Sequence, residues 1–345
     1  MISFRSVRHS ANLGLSEGMK HVEILMTVPM LPSIVQVLDR AFTLHRLWEH
    51  SDPRVFLKTA GPAIRGIATS TLFGRVDAWL LDQLPALEII ASFGVGYDNV
   101  DVGAAAERGV IVTNTPGVLD DEVADLTVGL LIATLRQIPQ ADRYVREGRW
   151  LEAPFPLSPT LRGRRIGMVG LGNIGKAVAR RLAAFGVSIA YHARSRQPGI
   201  AFDYCPTVVD LAEASDVLIV LVPGAAATKH LINADVLAAL GPEGVLINVS
   251  RGSVVDERAL IPALRSGTIL AAGLDVYEDE PCVPRELMEM PNVVLLPHIG
   301  SASVRTREAM GRLVVENLRS WFERGTPITP VAETRHLIDR ADAVG

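Results

Sequence analysis

Cysteine is nearly absent: Cys205 and Cys282 are the only two in 345 residues, far apart and without another Cys or a His at ligand spacing. That excludes a disulfide framework and a zinc site, and it suits a reducing, cytoplasmic setting. Charge of one sign is lacking too, because 34 Lys and Arg interleave with 38 Asp and Glu for a net charge of -4. Such a balance creates no field that would draw DNA, RNA or an anionic membrane. No apolar run approaches the roughly 20 residues that span a bilayer; the longest are stretches such as Val128 to Ala133 and Val217 to Val222. The chain therefore reads as soluble, with neither nucleic acid nor membrane among its partners. Residues 1–18 lack the apolar core of a signal peptide and any steady period, and read as a disordered extension ahead of Met19.

What is present is enough apolar material, 48% of residues, for two ordinary domains. Apolar, β-branched runs recur between amphipathic stretches at Val22 to Val28, Ile64 to Ala68, Glu88 to Ser92 and Val110 to Thr113. A second series follows at Arg165 to Val169, Ser188 to Tyr191, Val217 to Val222, Val245 to Asn248, Leu270 to Asp275 and Val293 to Leu296. The alternation predicts βαβ units, and the lack of polar alternation within each run predicts strands covered on both faces. The fold class is α/β: two doubly wound parallel-sheet domains, one flavodoxin-like and one a six-stranded Rossmann domain, with the site in the cleft between them.

Two helices are expected to connect the halves. Asp120 to Arg136 places Val123, Leu126, Leu130 and Leu131 at helical spacing behind Asp120 and Asp121 as N-terminal caps. Ser301 to Phe322 places Val304, Met310, Leu313, Val314, Asn317, Leu318 and Trp321 on a helical pattern that returns the chain to its first domain. The expected organisation is thus 19–119 with 301–330 as substrate domain, 120–300 as dinucleotide domain, and 331–345 as a C-terminal tail.

After the run Arg165 to Val169 comes Gly170-Leu171-Gly172-Asn173-Ile174-Gly175, then a segment in which Ile174, Val178, Leu182 and Phe185 share one helical face. Lys176, Arg180 and Arg181 fall away from that face. In this strand–turn–helix context the first glycine permits the tight turn and the second lets backbone approach a pyrophosphate. The third allows close helix–strand packing, with the phosphates at the positive end of the helix. At the end of the next strand an Asp or Glu would bind a ribose 2′-hydroxyl; the sequence instead reads Tyr191-His192-Ala193-Arg194-Ser195-Arg196. Guanidinium and hydroxyl donors suit a 2′-phosphate, so NADPH is the expected cofactor, with NADH still open. His192 reads as an adenosine-side packing residue.

Arg251, Glu280 and His298 each follow a strand end on the same side of the second sheet. Reducing a 2-oxo acid needs a cation to hold the carboxylate and polarise the ketone, and an acid to protonate the forming alkoxide. Arg251 and His298 supply these, and a carboxylate at Glu280 would orient the imidazole and favour its charged form. Singly, each has an ordinary structural use: a helix cap, a solvated acidic run, a core histidine. Together, beside a dinucleotide fold, they favour chemistry. No metal is called for.

The runs Val249-Ser250-Arg251-Gly252-Ser253-Val254-Val255-Asp256, Gly273-Leu274-Asp275-Val276-Tyr277-Glu278-Asp279-Glu280-Pro281 and Leu296-Pro297-His298-Ile299-Gly300-Ser301 resemble the D-isomer-specific 2-hydroxyacid dehydrogenase family over about Val22 to Pro330. Phe93-Gly94-Val95-Gly96-Tyr97-Asp98, Val112-Thr113-Asn114-Thr115-Pro116-Gly117-Val118-Leu119 and the Arg194-Ser195 pair are similar to its hydroxypyruvate and hydroxyphenylpyruvate reductase branch. The resemblance implies Arg251 as substrate-binding and polarising residue, His298 as acid/base and Glu280 as its partner. It further implies that the Val95 and Gly96 N–H groups meet the substrate carboxylate and that Asp275 holds the nicotinamide carboxamide. Thr228 and Val249 would line the cofactor, and Leu171 to Ile174 would form the phosphate turn. A homodimer burying the Leu126 to Leu135 stretch is implied as well.

The expected activity is NADPH-preferring reduction of glyoxylate, hydroxypyruvate or a close 2-oxo acid to the D-hydroxy acid. Two other readings stay open. One is a dinucleotide-sensing, corepressor-like binding protein. The other is an NAD-linked, phosphoglycerate-type dehydrogenase, disfavoured by the basic loop and by the lack of a regulatory C-terminal domain. Pocket size would depend on Met30, Leu31, Trp48, Phe93 and Trp150 of a neighbouring subunit.

Overall fold

The computed structural model describes residues 19–71 and 74–341. The extension expected over residues 1–18 lies outside the described residues, as do residues 342–345 of the expected tail. The chain divides into two compact units, with boundaries at Thr115/Pro116 and at Met310/Gly311.

The first unit is built on five parallel strands: β1 (Glu23–Met26), β2 (Thr43–Arg46), β3 (Ile64–Ser70), β4 (Ile89–Phe93) and β5 (Ile111–Thr113). Their order, β2-β1-β3-β4-β5, is that of a flavodoxin-like sheet. β3 and β4 are buried almost throughout, as apolar strands covered by helices on both faces must be. The sequence reading missed β2. This edge strand, Thr-Leu-His-Arg, is half-buried along its whole length, so it carries none of the continuous apolar signal of a central strand.

The second unit holds β6 (Arg165–Val169), β7 (Ser188–His192), β8 (Asp203–Tyr204), β9 (Val217–Val220), β10 (Val245–Asn248), β11 (Ala271–Leu274) and β12 (Val293–Leu295). All are parallel, in the order β12-β11-β10-β9-β6-β7-β8, which is a Rossmann order with one further strand at the end. The sheet has seven strands where six were expected; the addition is the two-residue edge strand β8, too short and too polar to read as a strand. Strand order reverses between β6 and β9, which opens a crevice at their carboxyl ends.

The first connecting helix is Asp120–Leu135, but Asp120 and Asp121 are not its caps. Leu119 is the capping residue, without a side-chain bond, and Asp120, Asp121 and Glu122 fill the first turn, where their charges favour the helix dipole. Asp121 and Asp125 both pair with Arg181. Glu122 accepts from Ser303 Oγ at 2.9 Å and Thr306 Oγ1 at 3.1 Å. The apolar side of this helix lies on the second unit's own sheet, where a Cβ on Gly273 of β11 would sit 2.4 Å from Thr134 Oγ1 and 2.9 Å from Leu130 Cγ. Val128, Leu130, Leu131 and Leu135 are therefore buried within the unit, while Leu126, Ile132 and Ala133 of the same stretch are half-buried.

The second connecting helix is Val304–Arg324. Val304 is exposed at its start, contrary to the helical pattern assigned to it. Leu318 and Phe322 pack on Gly66 of β3, and Trp321 Nε1 donates to Glu88 at 2.9 Å. Beyond Pro330, Val331 N–H donates to Val112 O at 2.9 Å, and the buried Thr334 bonds Val112 through its hydroxyl. A short helix, His336–Ala341, follows. Among the described residues no helix is long and apolar enough to cross a membrane.

Candidate active site

The turn after β6 divides its labour among three glycines. Gly170 adopts φ +98°, and a Cβ there would lie 2.9 Å from Val222 Cγ1 and 3.1 Å from the Leu221 carbonyl, so only glycine makes the turn beneath β9. A Cβ on Gly172 would meet nothing within 4 Å, which leaves the turn open to a phosphate. Gly175 is closed on the other side, with a Cβ placed 2.9 Å from Gly170 O. The helix runs Asn173–Leu182, beginning one residue before Ile174, and no side chain caps its first N–H groups. Open space, unclaimed N–H donors and the positive end of a helix fit a pyrophosphate. Phe185 does not share the helix's buried face as expected: it lies past the helix in a 3-10 turn that Gly186 ends, and it is exposed.

Arg194, Ser195 and Arg196 follow β7 and are all exposed, with no acid among them. Thr228 spends its hydroxyl within its own loop, donating to Pro223 O at 2.7 Å and accepting from Ala225 N–H at 2.9 Å. Val249 is half-buried after β10.

Three consecutive strand ends assemble the expected triad. After β10 the buried Asn248 accepts from Ser250 N–H and Oγ and donates to Arg251 O at 3.0 Å, which shapes the bend that carries Arg251. Gly224 leaves room for that side chain, since a Cβ there would stand 2.9 Å from Arg251 Cγ. Gly252 lies flat against the Tyr277–Glu278 peptide: its Cβ would fall 1.8 Å from the Tyr277 carbonyl. The loops bearing Arg251 and Glu280 are thus in direct backbone contact.

After β11, Asp275 is buried, and its two carboxylate oxygens accept from Ile299 and Gly300 N–H, each at 2.8 Å. Burial raises its pKa despite these N–H donors and the nearby His298. Tyr277 Oη donates to Leu296 O at 2.9 Å, joining this loop to the end of β12, and burial pushes its own pKa far up, so it stays a neutral donor. Glu280 Oε1 accepts from Tyr277 N–H at 3.0 Å, and Oε2 meets His298 Nδ1 at 2.7 Å.

His298 stands at φ +52°, a left-handed conformation that costs a non-glycine residue about 1 kcal/mol or more. Its N–H to Asp275 O (2.9 Å) and its bond to Glu280 hold it there. Because an ionised carboxylate only accepts, Nδ1 carries the proton, and Nε2 has no partner among the described residues. For Glu280, burial pulls the pKa up, but the His298 bond and charge, the Tyr277 N–H and the Arg251 charge together bring it below the usual value. A depressed carboxyl contributes stability above the ordinary Glu pKa and loses it only as pH falls through the lowered one, so the pair stays intact at neutral pH. A second pair stands on the same loop: His230, also at positive φ, meets Glu278 Oε1 through Nε2 at 2.7 Å. Sequence reasoning missed it, along with Asn248, Tyr277 and Gly224.

Val95 and Gly96 belong to the first unit, in the loop after β4. Asn114 Nδ2 holds Val95 O at 2.8 Å and Thr115 holds Gly94 from both sides, while the Val95 and Gly96 N–H groups have no hydrogen bond among the described residues. Free backbone donors on a fixed loop suit a carboxylate.

A dinucleotide-binding sheet whose strand ends carry an arginine and a carboxylate-held imidazole defines a dinucleotide-dependent oxidoreductase. Residues 128–300 match the profile of the D-isomer specific 2-hydroxyacid dehydrogenase, NAD binding domain. The chain belongs to the D-isomer-specific 2-hydroxyacid dehydrogenase family. It is 46% identical to glyoxylate/hydroxypyruvate reductase A of Arabidopsis thaliana and 47% identical to hydroxyphenylpyruvate reductase of Plectranthus scutellarioides, in each case over 91% of this chain and 100% of the relative. Among solved structures it resembles the NADPH-dependent glyoxylate/hydroxypyruvate reductase of Sinorhizobium meliloti in complex with NADP and malonate. There the identity is 54% and the TM-score 0.87, covering 91% of this chain and 98% of that one.

Proposed function

We propose that this chain is an NADPH-preferring reductase that converts small 2-oxo acids of the glyoxylate and hydroxypyruvate class to D-2-hydroxy acids. The observation that carries the reading is the 2.7 Å bond between His298 Nδ1 and Glu280 Oε2, with Nε2 left unpartnered and Arg251 close enough for its charge to act on Glu280. When bound, the reduced nicotinamide supplies the hydride. Arg251 pairs with the substrate carboxylate and polarises the ketone; in the first unit, the Val95 and Gly96 N–H groups are the backbone donors we assign to substrate binding. His298 Nε2 gives its proton to the oxygen that becomes the alcohol, while Glu280 balances the imidazolium. Asp275 keeps His298 in place through Ile299 and Gly300, and any contact with the nicotinamide carboxamide would use its remaining lone pairs.

NADPH is supported by Arg194 and Arg196, by the missing acid after β7, and by the NADPH dependence of the Sinorhizobium relative. Steady-state assays of glyoxylate, hydroxypyruvate and an aryl 2-oxo acid with NADPH and NADH test both parts. NADPH is expected to give kcat/KM about tenfold or more above NADH, as one or two charge-assisted bonds would provide. No turnover with either cofactor would sink the enzymatic reading; a preference for NADH would remove only the role of the basic loop.

The assembly we propose is a homodimer, in a reducing cytoplasm that suits the free thiols of Cys205 and Cys282. The supporting surface lies past the first connecting helix, where Ile138, Val145 and Trp150 are exposed and Leu151 is 94% exposed, beside a groove lined by Ile132, Arg136 and Ala141. Apolar side chains gathered this way are unusual on a lone subunit. Val145→Glu combined with Leu151→Glu is expected to halve the mass measured by light scattering. A dimer that survived both charges would exclude this face.

A further inference from the structure

The basic loop after β7 is exposed at its three working side chains, yet its backbone is fastened at both ends. At the start, Tyr204 Oη on β8 donates to Ala193 O at 3.3 Å. At the finish, Gln197 N–H donates to Tyr191 Oη at 2.8 Å. Tyr191 is fully buried and its ring lies 5.4 Å from that of Tyr204, so both fastenings go back to one aromatic pair inside the sheet. The Gln197 side chain makes the remaining tie: Nε2 donates to Leu171 O at 2.9 Å. Leu171 belongs to the glycine turn, and that turn is itself bonded to β7 through Gly170 N–H to His192 O at 2.9 Å.

We infer that Gln197 is a positioning residue for cofactor choice, a brace that sets the Arg194–Arg196 loop at a fixed spacing from the pyrophosphate turn. The inference rests on the reading of that loop as the 2′-phosphate site. Long, exposed arginines lose rotamer freedom when they grip an anion, and a wandering backbone would add its own ordering cost on binding. A loop already fixed relative to the turn avoids that second cost. Since pyrophosphate and 2′-phosphate are carried by the 5′- and 2′-oxygens of one ribose, a rigid ring that fixes the distance between them, the spacing between turn and loop selects for the phosphorylated ribose. A cofactor without the 2′-phosphate makes no use of the loop, so the brace is neutral toward it.

The test reads binding alone. NADP⁺ and NAD⁺ are titrated calorimetrically into the full chain without substrate, using the parent, Gln197→Ala, Tyr204→Phe, and Arg194→Ala combined with Arg196→Ala. For Gln197→Ala, Kd for NADP⁺ is expected to rise about tenfold, the equivalent of one charge-independent tie lost with its ordering effect, while Kd for NAD⁺ stays within about twofold. Tyr204→Phe, which removes the other fastening without disturbing the turn, is expected to move the ratio the same way by a smaller factor. An equal loss for both nucleotides would overturn the inference, because it would mean that Gln197 merely supports the turn. An unchanged ratio in Gln197→Ala, with collapse in the double arginine variant, would also overturn it while leaving the loop as the 2′-phosphate site. If the double arginine variant keeps the ratio, both readings fall.

Discussion

His298→Asn is expected to lower kcat for 2-oxo acid reduction by about three orders of magnitude, the usual share of a positioned general acid, while dinucleotide affinity stays within a few-fold. Asparagine is the informative replacement because it tolerates the left-handed backbone at φ +52° and keeps the N–H to Asp275 O, so the loop after β12 is expected to hold its path. What disappears is the Nε2 proton donor and the ring that partners Glu280. The Glu280 carboxylate, half-buried, would retain the Tyr277 N–H and the nearby charge of Arg251. A stability loss of about 1–2 kcal/mol is therefore expected alongside the kinetic one. Steady-state kinetics and a dinucleotide titration on one preparation separate the two effects. A variant keeping more than a tenth of the parent kcat would take His298 out of proton transfer. The same experiment tells an enzyme from a dinucleotide sensor, since a sensor needs cofactor affinity and no proton donor.

The features legible in the sequence are those with a local signature. Buried central strands such as β9 and β10 read as continuous apolar runs because helices cover them on both sides. The Gly170–Gly175 turn was legible because each glycine answers to a different steric demand within six residues. Edge strands β2 and β8 were not, since half their surface faces water and their side chains are correspondingly mixed. Asp120 and Asp121 looked like caps because acids gather at helix starts both as caps and as first-turn charges; only backbone geometry separates the two. Arg251, Glu280 and His298 were visible as polar residues at successive strand ends. Their supports were not, because each is an ordinary residue whose partner is distant in sequence: Tyr277 with Leu296, Asp275 with Gly300, Gln197 with Leu171. Gly252 left one usable trace, a glycine directly after the arginine at a strand end, where no positive φ requires one. Such a glycine marks another chain passing close by.

Gly252→Ala is for that reason expected to be the most damaging one-methyl change in the second unit, costing about 3 kcal/mol or more. The added Cβ would lie 1.8 Å from both the carbon and the oxygen of the Tyr277 carbonyl and 2.3 Å from Glu278 N. All three are backbone atoms, so no rotamer change relieves the overlap; one loop must move by more than an ångström. The Tyr277 loop is poorly placed to give way. Tyr277 Oη is bonded to Leu296 O, Glu278 N–H to Glu257 Oε1 at 2.9 Å, and the Glu278 and Glu280 carboxylates to His230 and His298. The Arg251 loop is held in turn by Asn248. Thermal unfolding is expected to show a fall of roughly 6–12 °C for a unit of this size. Whatever folds should have lost kcat, because the displaced loops carry Arg251 and Glu280. Gly172→Ala is the matched control for stability, with open space around its Cβ and an expected change in Tm within about 2 °C. If Gly252→Ala melted as close to the parent as that control, the two loops would have slack between them, and Arg251 and Glu280 would need some other means of keeping their spacing.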